Sequence, residues 1–194
     1  MTSKPVASKR PPAPIVPAVK TPSQVHPSAI IADKAQITGA HTVEIGESAV
    51  IHPYAKIRSE RGKVVIGKSS IVYERAVVGV ADGGEQDITI GEGVNIETGA
   101  VIEAKSIGDG STVEVNASIG RAAVVGRYCR VAALEKVEAG EELEDFTVVY
   151  SDGQRRVDKT MRDHPEIREA KQVGQEKSIE LMRKMVPNAA AKWM

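Results

Sequence analysis

The sequence predicts an all-β, left-handed parallel β-helix of hexapeptide repeats, about six to seven triangular coils, followed by a C-terminal α-helical segment. Three observations carry this prediction. Large aliphatic residues recur six places apart from Val25 to Val149. A small residue stands four places after most of them. Aromatic residues make up only 3% of the 194 residues, so Ile, Val and Ala must fill the interior where a globule would use rings.

The register runs Val25, Ile31, Ile37, then restarts at Ile45, Ile51, Ile57 and at Ile66, Val72, Val78. It continues through Ile90, Ile96, Ile102, then Ile107, Val113, Ile119, then Val125, Val131, Val137, and closes with Leu143 and Val149. The small positions include Ala29, Ala49, Ser70, Ala100, Ser111 and Cys129. Glycine often follows the aliphatic directly, as at Gly46, Gly67, Gly91 and Gly126. Alternate side chains of a strand share a face. A six-residue unit is therefore one short strand and one turn, and three units close a triangle with the aliphatics inside. Successive triangles stack at strand spacing, about 4.8 Å, and each coil buries its inner face on its neighbours. A β-sandwich repeats its strands at about 8 to 12 residues with variable loops, which this strict spacing excludes.

Flanking segments differ in composition. Residues 1–24 hold six prolines, four basic residues and no acid, which predicts a disordered Pro-rich tail with Thr21 as a candidate phosphorylation site. Residues 25–157 form the β-helix. Its largest insertion, Ala81 to Thr89, predicts an exposed loop in which Asp82, Glu85 and Asp87 are candidate partner contacts. Glu135 and Glu141 stand where small residues are expected, and an unpaired buried carboxylate is costly. The last coils are therefore expected to open toward solvent or a partner. Residues 158–194 read as helical and are expected to pack on the β-helix. Asp163-His164-Pro165-Glu166 marks a helix start, Ile179, Met182 and Val186 form an apolar stripe, and Gly174 is expected to divide the segment. The helix is expected to lie along the prism or to cover its last coil. Ile179, Met182 and Trp193 complete the candidate contact set.

Composition excludes several functions. There are 26 basic and 26 acidic residues, whereas nucleic-acid binding draws on a basic excess, so no nucleic-acid partner is expected. The single cysteine rules out an internal disulfide and fits a reducing compartment. No apolar run approaches the roughly 18 residues of a membrane span, so a cytoplasmic chain without membrane insertion is expected. Hexapeptide folds include two enzyme classes. A zinc carbonic anhydrase of the γ class needs three histidines on a coil face, but Gly79, Glu97 and Glu103 occupy those places, and Glu60 follows Arg58 where that class has aspartate. His26, His41 and His52 fall on three different faces by register. An acyltransferase needs a histidine base, for which His41 is the candidate. Cys129 falls at an inward position and reads as inert. No catalytic residue, metal or cofactor is expected.

Further motifs carry a resemblance. They are Val50-Ile51-His52-Pro53, Ala55-Lys56-Ile57, Val65-Ile66-Gly67 and Val72-Tyr73-Glu74-Arg75-Ala76 within the repeat. After it come Thr147-Val148-Val149-Tyr150, Arg155-Arg156-Val157 and Leu181-Met182-Arg183-Lys184-Met185-Val186-Pro187-Asn188. From about residue 25 onward the layout resembles the dynactin subunit 6 family. That resemblance implies a non-enzymatic subunit of the dynactin pointed-end complex, in the cytoplasm and cytoskeleton. The implied role is support of dynein-dependent microtubule transport and cargo binding, endosomes included. The implied partners are dynactin subunit 5 as a heterodimer, a pointed-end actin-related protein and a larger pointed-end subunit. The competing expectation is a divergent homotrimeric hexapeptide enzyme, either an acyltransferase or a γ-carbonic-anhydrase-like protein.

Overall fold

A computed structural model describes residues 21–194, and it is a parallel β-helix with a helical C-terminal segment. Three sheets of seven, eight and six strands form the faces of the prism. Face 1 starts at strand Ser23–Val25, face 2 at Ile30–Ile31 and face 3 at Gln36–Gly39. Each strand pairs in parallel with its counterpart one coil further on, so the expected register is the register of the sheets. Ile45 pairs with Ile66, Ile51 with Val72 and Ile57 with Ile37. The inward aliphatics form one continuous core together with the small corner residues, and Ala29, Ala49, Ala55, Ala100 and Ala117 are each 0% exposed. Larger side chains at those corners would have to displace the aliphatics already stacked there.

One glycine shows how tight the turns are. Gly79 ends a face 3 strand at φ +144°, and a Cβ there would lie 2.4 Å from the Arg58 carbonyl oxygen. Only glycine tolerates both that angle and that approach. The insertion after it is pinned to the prism. Gln86 donates to the Glu103 carbonyl at 2.8 Å and accepts from the Ala122 amide at 3.0 Å, while Asp87 accepts from the Lys63 amide at 2.8 Å.

The last coil closes with a hairpin. Strand Gln154–Val157 runs antiparallel to Thr147–Tyr150 and becomes the outer strand of face 2. Helix α1 (Lys159–Asp163) follows, capped by the Asp158 carboxylate, and α2 (Pro165–Met185) runs back along face 2 toward the first coil. Lys171 reaches Gly110 and Thr112, Gln175 reaches Asn95 and Ser69, and Ile179 packs on Ile30, Val50 and Ile71. Beyond α2, Asn188 and Ala189 bond to the first coil, and Ala190 and Trp193 pack against its core.

Three expectations need correction. The helix does not break at Gly174; the break falls at His164, which precedes Pro165 and initiates α2. A mid-helix glycine costs about 1 kcal/mol, which is offset by the docking of Lys171 before it and of Gln175 and Ile179 after it. Of the two placements expected for the helix, lying along the prism is the one α2 takes; covering the last coil is not, and the residues after α2 close the first coil instead. The tail expected over residues 1–24 lies outside the described residues as far as position 20. From Thr21 onward the chain is part of the prism, with Thr21 only 3% exposed and its hydroxyl directed at the Ile37 carbonyl. A kinase could not reach that hydroxyl without lifting this segment.

Replacing Ile96, which is 0% exposed, with alanine is expected to cost about 2 to 5 kcal/mol, read as a lowered urea midpoint. An Ile179→Asp, Met182→Asp double variant is expected to free α2 alone. Hydrogen exchange should accelerate across α2 and leave the inner strands protected; equal protection of α2 in both chains would show that these residues do not hold it.

Candidate functional site

The four histidines stay apart, as the register requires. His26 is exposed and bonds Ser28 at 2.8 Å. His41 Nδ1 lies 2.8 Å from the Ser59 carbonyl, which can only accept, so the proton sits on Nδ1 and Nε2 is unprotonated in the neutral ring. His52 is 8% exposed, stacks on Tyr73 with centroids 4.9 Å apart, and places Nδ1 2.9 Å from a Glu74 oxygen. Its Nε2 is buried without a partner among the described residues. His164 initiates α2 and pairs with Glu166 at 2.8 Å. Among the described residues no group of three His, Cys, Asp or Glu side chains is placed to hold a metal ion. Gly79 cannot be replaced by a ligand-bearing residue without moving Arg58.

A cleft of about 190 Å³ lies between α2 and the prism, lined by Lys171, Gln175, Arg168 and Tyr128 among others. Its polar groups are committed internally. Lys171 donates to the Gly110 carbonyl at 2.6 Å, and burial holds its ammonium pKa below the usual lysine value. Arg168 lies over Tyr128 and Phe146 and caps carbonyls of α1. Small-molecule sites are generally larger, about 300 to 1,000 Å³.

The candidate contact residues divide in two. Ile179, Met182 and Trp193 are used inside the molecule. Glu135 and Glu141 are half-buried and satisfied by the closing hairpin. Glu135 accepts from the Asp152 and Gly153 amides at 3.0 and 2.9 Å, and Glu141 pairs with Arg155 at 2.7 Å. These five are therefore fold-holding contacts. Of the loop acids, Asp87 is tied to Lys63, while Asp82 and Glu85 remain exposed. Sequence reading missed Asn188, whose side chain imitates a strand edge by accepting from the Ile31 amide at 3.1 Å and donating to the Ala29 carbonyl at 3.0 Å. It also missed Leu134, a fully presented aliphatic that is 78% exposed at φ +67°. The available signal for both was their break from the pattern, a polar residue following the apolar stripe of α2 and a large apolar residue at a corner.

Cys129 is 1% exposed, and burial pushes its thiol up to about 11. At pH 8 the thiolate fraction is then about one in a thousand. The folded chain is expected to resist an aromatic disulfide reagent at that pH and to release one equivalent on unfolding. Rapid native reaction would show that the inner column opens.

No family model matches the chain. Among solved structures, it is similar to a hexapeptide transferase family protein from Anaplasma phagocytophilum, with a TM-score of 0.70 at 22% identity, covering 84% of this chain and 92% of that one. That likeness shows the fold alone. Among curated proteins, it is 30% identical to the carnitine operon protein CaiE of Escherichia coli over 60% of this chain and 57% of that one. It is 28% identical to dynactin subunit 6 of Xenopus tropicalis over 85% of this chain and 81% of that one. The match to dynactin subunit 6 of Danio rerio is 29% over 82% of each. Hexapeptide repeats are shared by many proteins, so the extent of a match matters. A stretch from Met1 through Val157, the end of the β-structure, would still fall short of 85% of the 194 residues. The Xenopus match must therefore include sequence of the helical segment. The likeness to dynactin subunit 6 therefore runs through the repeat and beyond it.

Proposed function

We propose that the chain is a non-enzymatic structural subunit at the pointed end of dynactin, acting in the cytoplasm in dynein-dependent transport along microtubules and in cargo binding, endosomes included. The partners in this reading are dynactin subunit 5, as a heterodimer, with the pointed-end actin-related protein and a larger pointed-end subunit. The observation that carries the reading is a similarity to dynactin subunit 6 that extends past the repeat into the helical segment. The physical character of the molecule supports it. A prism of in-register sheets presents fixed faces to its surroundings, and its polar clusters are bonded internally. No helix among the described residues is long and apolar enough to cross a membrane.

A second reading, acyl transfer by a homotrimer, has one observation in its favour. His41 carries its proton on Nδ1, with Nε2 free to act as a base. Two measurements separate the readings. Purification of the tagged full chain from native extract, with mass spectrometry of what accompanies it, is expected to recover dynactin subunit 5 and actin-related protein. The purified chain is expected to show no transfer from acetyl coenzyme A. A homotrimer that turns over acetyl coenzyme A and loses that activity in His41→Ala would overturn the scaffold reading.

A further inference from the structure

We propose that the end of the prism bearing the last coil is a docking surface for a strand edge rich in lysine and arginine on a neighbouring subunit. The inference rests on the scaffold reading and adds which surface is used and what chemistry fits it.

The two ends of the prism are finished differently. At the first coil, outward carbonyls of Ala29 and Ile31 accept from Asn188 and the Ala189 amide at 3.0 and 2.7 Å. The Ile37 carbonyl faces the Thr21 hydroxyl, and Trp193 packs on the core. This end is closed by Thr21 and by the stretch from Asn188 to Trp193. At the last coil, among the described residues, only face 2 gains a further strand, Gln154–Val157. On face 3, bonds to the preceding coil use the carbonyls of Glu135 and Val137, and on face 1 those of Glu141 and Leu143. Successive peptide groups of a strand point to opposite sides, so the peptide groups of Lys136 and Glu142 face away from the prism. No backbone bond among the described residues reaches them.

Charge selects the partner. Residues 134–158 hold eight acidic and three basic residues, in a chain balanced at 26 of each. Arg155 is consumed by Glu141, and Asp145 by Arg127 from the coil above. Glu142 and Glu144 remain exposed, with no ion pair or side-chain bond among the described residues. Leu134, 78% exposed at the corner leading into the last face 3 strand, adds an apolar anchor. Edge strands this short, carrying charge, discourage indiscriminate pairing. They accept a partner that brings both backbone groups and positive charge. A second copy offering the same end would bring like charge and be repelled.

The test compares the tagged chain with Glu142→Lys/Glu144→Lys, with Leu134→Asp, and with a charge-matched control, Glu47→Lys/Glu180→Lys, toward the first-coil end of the prism. All four residues of the two charge-reversal pairs are exposed, and unchanged melting of each variant confirms folding. The wild type and the control are expected to recover dynactin subunit 5, with zero-length carbodiimide links joining Glu142 or Glu144 to partner lysines. The open-end variants are expected to lose recovery by about ten-fold or more, and wild-type recovery should fall with added salt. If the wild type recovers no dynactin subunit, the scaffold reading fails. If it recovers them and the open-end variants do so equally, this inference fails while that reading stands. Self-association of the wild type that the open-end variants abolish would place a second copy at this end and overturn the assignment of a different subunit.

Discussion

Every inner aliphatic between the two end coils is covered by its counterparts one coil above and one coil below. Ile66 lies between Ile45 and Ile90, and Val72 between Ile51 and Ile96. No coil buries its own core alone, so stability is a property of the stack. The same constraint creates two special places, the ends, where a coil has a neighbour on one side only. Much of what lies outside the repeat answers that problem. The Asn188–Trp193 stretch supplies a substitute neighbour for the first coil, and the Gln154–Val157 hairpin supplies one for a single face of the last.

The placement of α2 follows from what points outward. On face 2 the outward residues of the first three coils are Ile30, Val50 and Ile71, all at most 1% exposed once α2 lies over them. On the next coils the outward residues turn polar, at Asn95 and Thr112, and the helix changes with them. Ile179 faces the isoleucines, Gln175 bonds Asn95 at 2.8 Å, and Lys171 bonds Thr112 at 3.1 Å. Helix and face are matched coil by coil, which fixes the position of α2 along the prism as well as its face.

Much of this was legible in the sequence. The inner columns follow directly from the six-residue spacing, because a period that holds through every triplet admits only one set of inward residues. The separation of the histidines onto different faces follows from the same register. The face chosen by α2 was also written there, in apolar residues just before Ile31, Ile51 and Val72, but a pattern that reads only the inner position passes over them. Other features depend on contacts distant in sequence. Glu135 and Glu141 look like unpaired acids until the hairpin brings the Asp152 and Gly153 amides and Arg155 beside them. Thr21 looks like part of a tail because its partner, Ile37, is reached through the closing of a coil. Gly174 looks like a break because local propensity cannot weigh the docking of the residues around it.

The closure of the first coil by Asn188 and Trp193 sets an order of events during synthesis. A chain leaving the ribosome offers its N-terminal coils first, at about 5 to 20 residues per second, and these can stack as they emerge. The residues that complete the first coil are made only after every coil of the repeat. Until they emerge, the earliest coil keeps an open strand edge, and the nascent prism can meet another strand there. Sealing of that edge therefore follows the stacking of all the coils.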